Sequence, residues 1–404
     1  MEINEFLKSL IGIGKDFDIT TISTNEETKE IFIHIKYLPR KYKLSDKEYN
    51  LYDLSPERSW QHLSWFEYKC YLVCRLPRYI DSNGKVKVIE VDFASKSQGY
   101  THKFSAQVIL YLEKIKVQNT VASLLSTSNY IVRTIMSNAV NEALETRGFI
   151  TDFKHVSIDE KAYKPGHEYA TILIDKDQDR VLNLVEGRKE KSVKVLFYEL
   201  NEQENQPQIE IVNIDMWKAY MSAMKEISPY ALQVHDKFHL IKKMSESIDK
   251  TRREEVKTEE ILKKQKYTVL KNVENRTIQQ QFDFETIQSI NLKTSQAWVV
   301  RENFKQIFEI GHWKDRIAFY DIWLKDTTDK ALKYVDKVIK TFKNHREGII
   351  NALITKTDSG SHENTNGRIQ SLLAKARGFR NFNRLKINLM FYFGKLEFST
   401  KYLL

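Results

Sequence analysis

Between residues 153 and 235 the apolar residues fall in an order that few folds can accommodate. Residues 156–160, 169–174 and 181–185 are short apolar runs, the last two joined by the polar turn Asp175-Lys176-Asp177-Gln178-Asp179, and they read as three strands in hairpin succession. A helical pattern follows over about 192–200, then a strand at 209–214, a helix beginning near Met216 and a short strand at 232–234. Three hairpin-connected strands followed by helix, strand, helix and strand require a mixed sheet covered by helices, so the expected fold class is α/β.

That element order is the one expected of a ribonuclease-H-like core, with residues 151–237 as its first part. Residues 238–357 lack strand periodicity, are rich in Lys, Glu and Gln, and read as a helical insertion that carries Trp298, Trp313 and Trp323. Residues 358–404 would complete the core, opening with an amphipathic helix whose apolar side holds Ile369, Leu372 and Leu373. Upstream, residues 1–105 read as a small β-rich domain of short runs such as Ile31-Phe32-Ile33-His34-Ile35, broken by Pro39, Pro77 and Asn83-Gly84. Residues 106–150 turn helical, and Ser128 is placed to cap a second helix that carries Arg133. Two short helices meeting there are consistent with a helix-turn-helix DNA-binding region, with Arg133 as a candidate contact.

Composition limits the partners. The 404 residues hold 64 Lys plus Arg against 54 Asp plus Glu, a net charge of +10, which favours a polyanion because each cation set on a phosphate releases counterions. The only cysteines are Cys70 and Cys74, which supports no disulfide framework and fits a reducing cytoplasm. His62 and His102 lie near enough in sequence to complete a zinc site, but two buried structural thiols are the expectation, and no zinc is expected. The start Met1-Glu2-Ile3-Asn4-Glu5 lacks a basic, then apolar leader, and no run approaches ~18 apolar residues, so no membrane association is expected.

Two of the strands end in carboxylates, in Val156-Ser157-Ile158-Asp159-Glu160 and Ile211-Val212-Asn213-Ile214-Asp215. The carboxyl ends of strands in α/β sheets form the functional crevice, and two acids held close there repel unless they share a cation. Hard oxygen donors of this kind suit Mg²⁺ or Mn²⁺. Glu160, next to Asp159, would point to the opposite face of its strand.

The segment Ile158-Asp159-Glu160-Lys161-Ala162-Tyr163, continuing to Tyr169-Ala170-Thr171, resembles the first catalytic block of the ISL-three family of bacterial insertion-sequence transposases. The resemblance continues through Arg180-Val181-Leu182-Asn183-Leu184-Val185-Glu186-Gly187-Arg188, Asp215-Met216-Trp217-Lys218-Ala219-Tyr220 and Val234-His235-Asp236-Lys237-Phe238-His239. It closes with His362-Glu363-Asn364-Thr365-Asn366-Gly367-Arg368-Ile369-Gln370 and Ala376-Arg377-Gly378-Phe379-Arg380-Asn381-Phe382, and so covers the chain from about residue 150. Towards the amino terminus Trp60-Gln61-His62-Leu63 and Arg75-Leu76-Pro77-Arg78 also match, but Asp81-Ser82-Asn83-Gly84 stands where a cysteine-bearing turn would be expected. A zinc ribbon is therefore not expected.

Carried onto this chain, the resemblance implies a DDE transposase with Asp159, Asp215 and Glu363 as catalytic acids and ligands of two Mg²⁺ or Mn²⁺ ions. It implies binding to terminal inverted repeats in double-stranded DNA, phosphodiester hydrolysis, strand transfer, and a homodimer holding two ends, in the bacterial cytoplasm on the nucleoid. Asp236 and His239 stand as accessory residues, with a helix N-cap as the alternative for Asp236. Asn366 and Gln370 follow Glu363 at i+3 and i+7 and share its helix face. Arg368, Lys375, Arg377 and Arg380 supply candidate phosphate contacts. Trp217 could stack on a base, but a core position is the expectation. The competing functions are a catalytically idle DNA-binding repressor and a ribonuclease-H-like nuclease or resolvase without strand transfer.

Overall fold

The computed structural model describes residues 3–150, 152–166, 168–200, 208–328, 330–355 and 363–403, with the side chains of Glu363 and Asn364 outside that description. The chain forms two compact units, residues 1–148 with 396–404, and residues 149–395. Among the described residues no helix is long and apolar enough to cross a membrane.

The first unit opens with α1 (Ile3–Ile11) and continues as β1 (Phe17–Asn25), β2 (Glu30–Tyr37), β3 (Lys41–Leu44), β4 (Lys47–Leu54), β5 (Arg58–Trp65), β6 (Tyr68–Cys74), β7 (Pro77–Ile80) and β8 (Val86–Val88). These pair into two four-stranded sheets, in the orders β1-β2-β6-β5 and β3-β4-β7-β8. Strand β2 shows the cause: Ile31, Ile33 and Ile35 alternate with more exposed neighbours and enter a core with Trp60, Cys70 and Leu72. Three helices follow, α2 (His102–Ile115), α3 (Gln118–Leu124) and α4 (Asn129–Arg147). The Ser128 hydroxyl accepts the Ile131 N–H at 3.2 Å and caps α4 at the position indicated by the sequence.

In the second unit β9 (His155–Lys164), β10 (Glu168–Asp175), β11 (Arg180–Glu186), α5 (Glu190–Tyr198), β12 (Ile211–Ile214), α6 (Lys218–Ile227) and β13 (Leu232–His235) follow in turn. Their strands form one mixed sheet in the order β11-β10-β9-β12-β13. The three hairpin-linked strands are antiparallel, whereas β12 runs parallel to both β9 and β13. Side chains alternate between faces along each strand, so Val156, Ile158, Val212 and Ile214 go to one face and pack with Val193, Leu196, Ala223 and Met224 of α5 and α6. The polar residues between them are thereby sent to the other face.

A helical segment follows: α7 (Lys237–Glu255), α8 (Lys266–Leu270), α9 (Ile278–Ser289), α10 (Lys293–Ile307), α11 (Trp313–Thr328), α12 (Lys333–Asn344) and α13 (Arg346–Thr355). Its own core centres on Phe304, Tyr320, Trp323 and Phe342 and is joined to the sheet through Met216 and Val234. Helix α13 lies along β13, and the Asn351 side-chain amide donates to the Gln233 carbonyl at 2.8 Å. This helical segment thereby occupies a sheet edge whose backbone groups would otherwise face water. Two helices complete the unit, α14 (Glu363–Ala376) and α15 (Phe382–Phe393), the latter against β11.

Candidate active site

Parallel pairing sets Ile214 opposite Ile158, so the residues that follow them, Asp215 and Asp159, leave adjacent strands at the same level. Both isoleucines face the apolar layer, and period-two alternation turns both carboxylates away from it. They line a cleft of about 740 Å³ whose walls also include Lys161, Lys176, Trp217, Tyr220, Asp236 and His239. Asn366, Gly367 and Gln370 of α14 form a further part of the wall.

Each aspartate is oriented by the backbone that follows it. Asp159 Oδ1 accepts the Glu160 N–H at 2.8 Å, and Asp215 Oδ1 accepts the Met216 N–H at 2.6 Å. The second oxygen of Asp159 meets the Lys161 ammonium at 2.7 Å. His239 lies between the two acids, with Nε2 at 3.9 Å from Asp159 and Nδ1 at 3.7 Å from Asp215. Asp159 is almost buried, at 7% side-chain exposure, whereas Asp215 is 39% exposed. The inner acid is therefore neutralised by a fixed ammonium and the outer one opens to solvent. Glu160 pairs instead with Arg188, at 3.6 Å.

Hard carboxylate donors, each with one oxygen fixed by a backbone N–H, suit a Mg²⁺- or Mn²⁺-type ion. Among the described residues no group of three His, Cys, Asp or Glu side chains is placed to hold a metal, and the Glu363 side chain lies outside that description.

The other residues singled out in the sequence take varied places. The Asp236 side chain accepts the Phe238 N–H at 2.8 Å and caps α7, while still bordering the cleft. Arg133, in the first unit, donates from Nε to its own helix at the Asn129 carbonyl, 2.9 Å away. The Arg368 guanidinium lies 3.9 Å from the Asp179 carboxylate and 5.1 Å from the Phe393 ring centre. Lys375, Arg377 and Arg380 are exposed around the end of α14. That end is hooked to β9: Phe379 N–H donates to the Tyr163 carbonyl at 2.8 Å, and Gly378 has φ +87° with that carbonyl oxygen 3.1 Å from where a Cβ would stand. A side chain at Gly378 would meet both strain and backbone.

Trp217 departs from its expected core position. It is 47% exposed on the cleft wall, its indole N–H donates to the Arg188 carbonyl at 3.2 Å, and the Arg188 guanidinium lies over Tyr169 at 4.1 Å. Among residues not singled out in the sequence, Lys161 had a readable signal, since two residues past Asp159 on a strand means the same face. Lys176 had none, because a lysine in a polar turn looks like an ordinary solvated residue. The Tyr220 hydroxyl meets Thr171 Oγ1 at 2.9 Å beneath the cleft, and burial pushes its pKa up.

The model of the ISL3-type DDE transposases, described as "Transposase", matches residues 156–389, more than half of the chain. The protein belongs to this family of insertion-sequence transposases. Among curated proteins, the transposase for insertion sequence element IS1557 of Mycobacterium tuberculosis is 23% identical over 351 residues, covering 80% of this chain and 78% of its own length. The transposase for insertion sequence element IS1001 of Bordetella parapertussis is 23% identical over 328 residues, covering 78% of this chain and 79% of its own length.

Proposed function

We propose that the protein cuts and joins DNA at the ends of an insertion sequence, with Asp159, Asp215 and Glu363 as the acids of a ribonuclease-H-like active site. The observation that carries this is the opening of Asp159 and Asp215 onto one cleft that Asn366 and Gln370 of α14 also wall, inside the segment matched by the transposase family. The reaction is in-line attack on phosphorus, first by water to release a 3′-hydroxyl at the element's end, then by that hydroxyl on a target strand. Bound divalent ions would supply charge neutralisation at phosphorus and a more acidic attacking water.

Asp159 and Asp215 present oriented carboxylate oxygens for those ions. His239, within 4 Å of both acids, stands between them and helps to position them. Lys161 holds Asp159 in place through its ion pair. The terminal inverted repeats are bound by phosphate and base contacts outside the acid cluster, with the helical region around Arg133 and the basic residues Arg368, Lys375, Arg377 and Arg380 contributing, and a homodimer holds two ends together.

The test uses the DNA that brackets the gene as a labelled duplex, incubated with the full chain and Mg²⁺. The expected result is a cut at the element's end, and a joined product when the end is supplied already nicked. Asp215→Asn should lose both reactions and keep binding; cutting at the wild-type rate by that variant overturns the assignment.

A further inference from the structure

Three lysines, Lys161, Lys176 and Lys242, reach the cleft that holds the acids. Lys161 is already committed to Asp159. Lys242 lies on the exposed side of α7, where a solvated ammonium needs no further explanation. Lys176 is different. It follows β10 directly, and its backbone N–H donates to the His155 carbonyl at 2.8 Å, which fixes its position at the sheet. Its residue exposure is only 9%, yet among the described residues its ammonium makes neither a hydrogen bond nor an ion pair.

Lysines are rarely this buried, and the part of Lys176 that stays accessible opens on the cleft. Burial lowers the Lys176 pKa even though Asp236 and Asp179 oppose the shift from a distance. Packing of the aliphatic stem accounts for part of the burial. It does not account for an unpaired head delivered to a cleft whose other inner cation is already spent.

The chemistry expected in the cleft supplies the missing partner. The ions that Asp159 and Asp215 would hold serve the reacting phosphate, and the neighbouring backbone phosphates of the same strand still suit a fixed cation for their non-bridging oxygens. We propose that Lys176 is a phosphate-binding residue of this cleft, taking a backbone phosphate of the DNA strand held across the two aspartates. This rests on the function proposed above and adds a subsite to it. Lys176 lies between paired strands rather than on the α14 basic segment, so the contact serves to set the strand's position at the acids rather than to recruit DNA.

The experiment follows binding of a fluorescent, pre-nicked duplex carrying the element's end to the full chain in Ca²⁺, between roughly 50 and 200 mM salt. Loss of one phosphate contact lowers the slope of log K against log salt by ~0.9. Lys176→Met, which keeps the stem and removes the charge, should show that loss and weaker binding; Lys176→Arg should restore the slope. Replacing the phosphates nearest the nick singly by neutral methylphosphonates should weaken wild-type binding at one position and leave Lys176→Met unaffected there. An unchanged slope together with equal sensitivity of both proteins at every position overturns the proposal. Should Lys176→Met fail to fold, the methylphosphonate scan on wild type and Lys176→Arg decides: no sensitive position overturns it. Failure of the underlying function looks different, as a wild-type chain that neither binds nor cuts the end, or an Asp215→Asn variant that still cuts.

Discussion

The enclosed core of the first unit and the cleft of the second hold titratable side chains in opposite ways. In the first unit His62 is 2% exposed, its Nδ1 lies 2.9 Å from Thr101 Oγ1, and burial drives its pKa down to about 4. Cys70 and Cys74 are free thiols in the same core, pushed up by burial to about 12 and about 11. Each is held in its neutral form within an enclosed core. In the second unit Asp159, Asp215 and Lys176 also stand at a sheet, but they open on a cleft. Uncharged burial marks a group used for packing, whereas charged groups arranged around an open volume mark one kept for a ligand.

The sharpest way to break this comparison is to exchange neighbours on the two faces of one strand end. Asp215→Asn should lower cleavage by on the order of 10³-fold or more, the several kcal/mol that metal-assisted charge stabilisation supplies, with little change in Tm. Ile214→Ala, one residue earlier and 1% exposed in the apolar layer, should instead cost about 2–5 kcal/mol in denaturant unfolding. A large stability loss in the first variant, or none in the second, would erase the distinction between the faces.

A smaller effect tests the enclosed histidine. The folded-state pKa of His62, about 4, lies below its ordinary 6.5, so its contribution is fully present above pH 6.5 and is lost as pH falls towards 4. The loss amounts to roughly 3 kcal/mol at most. Urea midpoints measured across that window should fall for the wild type and fall less for His62→Gln. Equal acid sensitivity in the two proteins would remove His62 from the account.

Next in size is the seam between the helical segment and the sheet. A Cβ at Gly348 would stand 2.5 Å from the His235 ring, which in turn meets His345 with ring centres 5.3 Å apart. His235 Nδ1 lies 3.2 Å from the carbonyl of Ile214, immediately before Asp215. Gly348→Ala should therefore cost about 1–3 kcal/mol by overpacking, read as a lower Tm. The smallest expected effect is stabilisation by Mg²⁺, about 1.4 kcal/mol at ten times its Kd. It should disappear in Asp215→Asn, and a shift of equal size in that variant would place the ion elsewhere.

Much of this was readable in the chain because its causes are local. Alternating apolar residues marked the strands of the mixed sheet, Ser128 marked a helix start, and carboxylates at two strand ends marked the cleft. Trp217 and Lys176 were misjudged or passed over for a shared reason: neighbours in sequence do not tell whether a side chain next to an acid or in a turn meets solvent, core or cleft. Asp236 had two possible roles in the sequence, and the structure shows the cap: it caps α7 at the edge of the cleft.

The sequence by itself determined the alternation that sends Ile158 and Ile214 to one face and Asp159 and Asp215 to the other, since a strand's period is a property of its backbone. Only the tertiary structure decided that the two strands lie side by side in register, that α14 returns along the same cleft, and that a turn lysine is drawn in beside it. Those facts depend on pairings between residues far apart in the chain, which packing selects and no local pattern encodes.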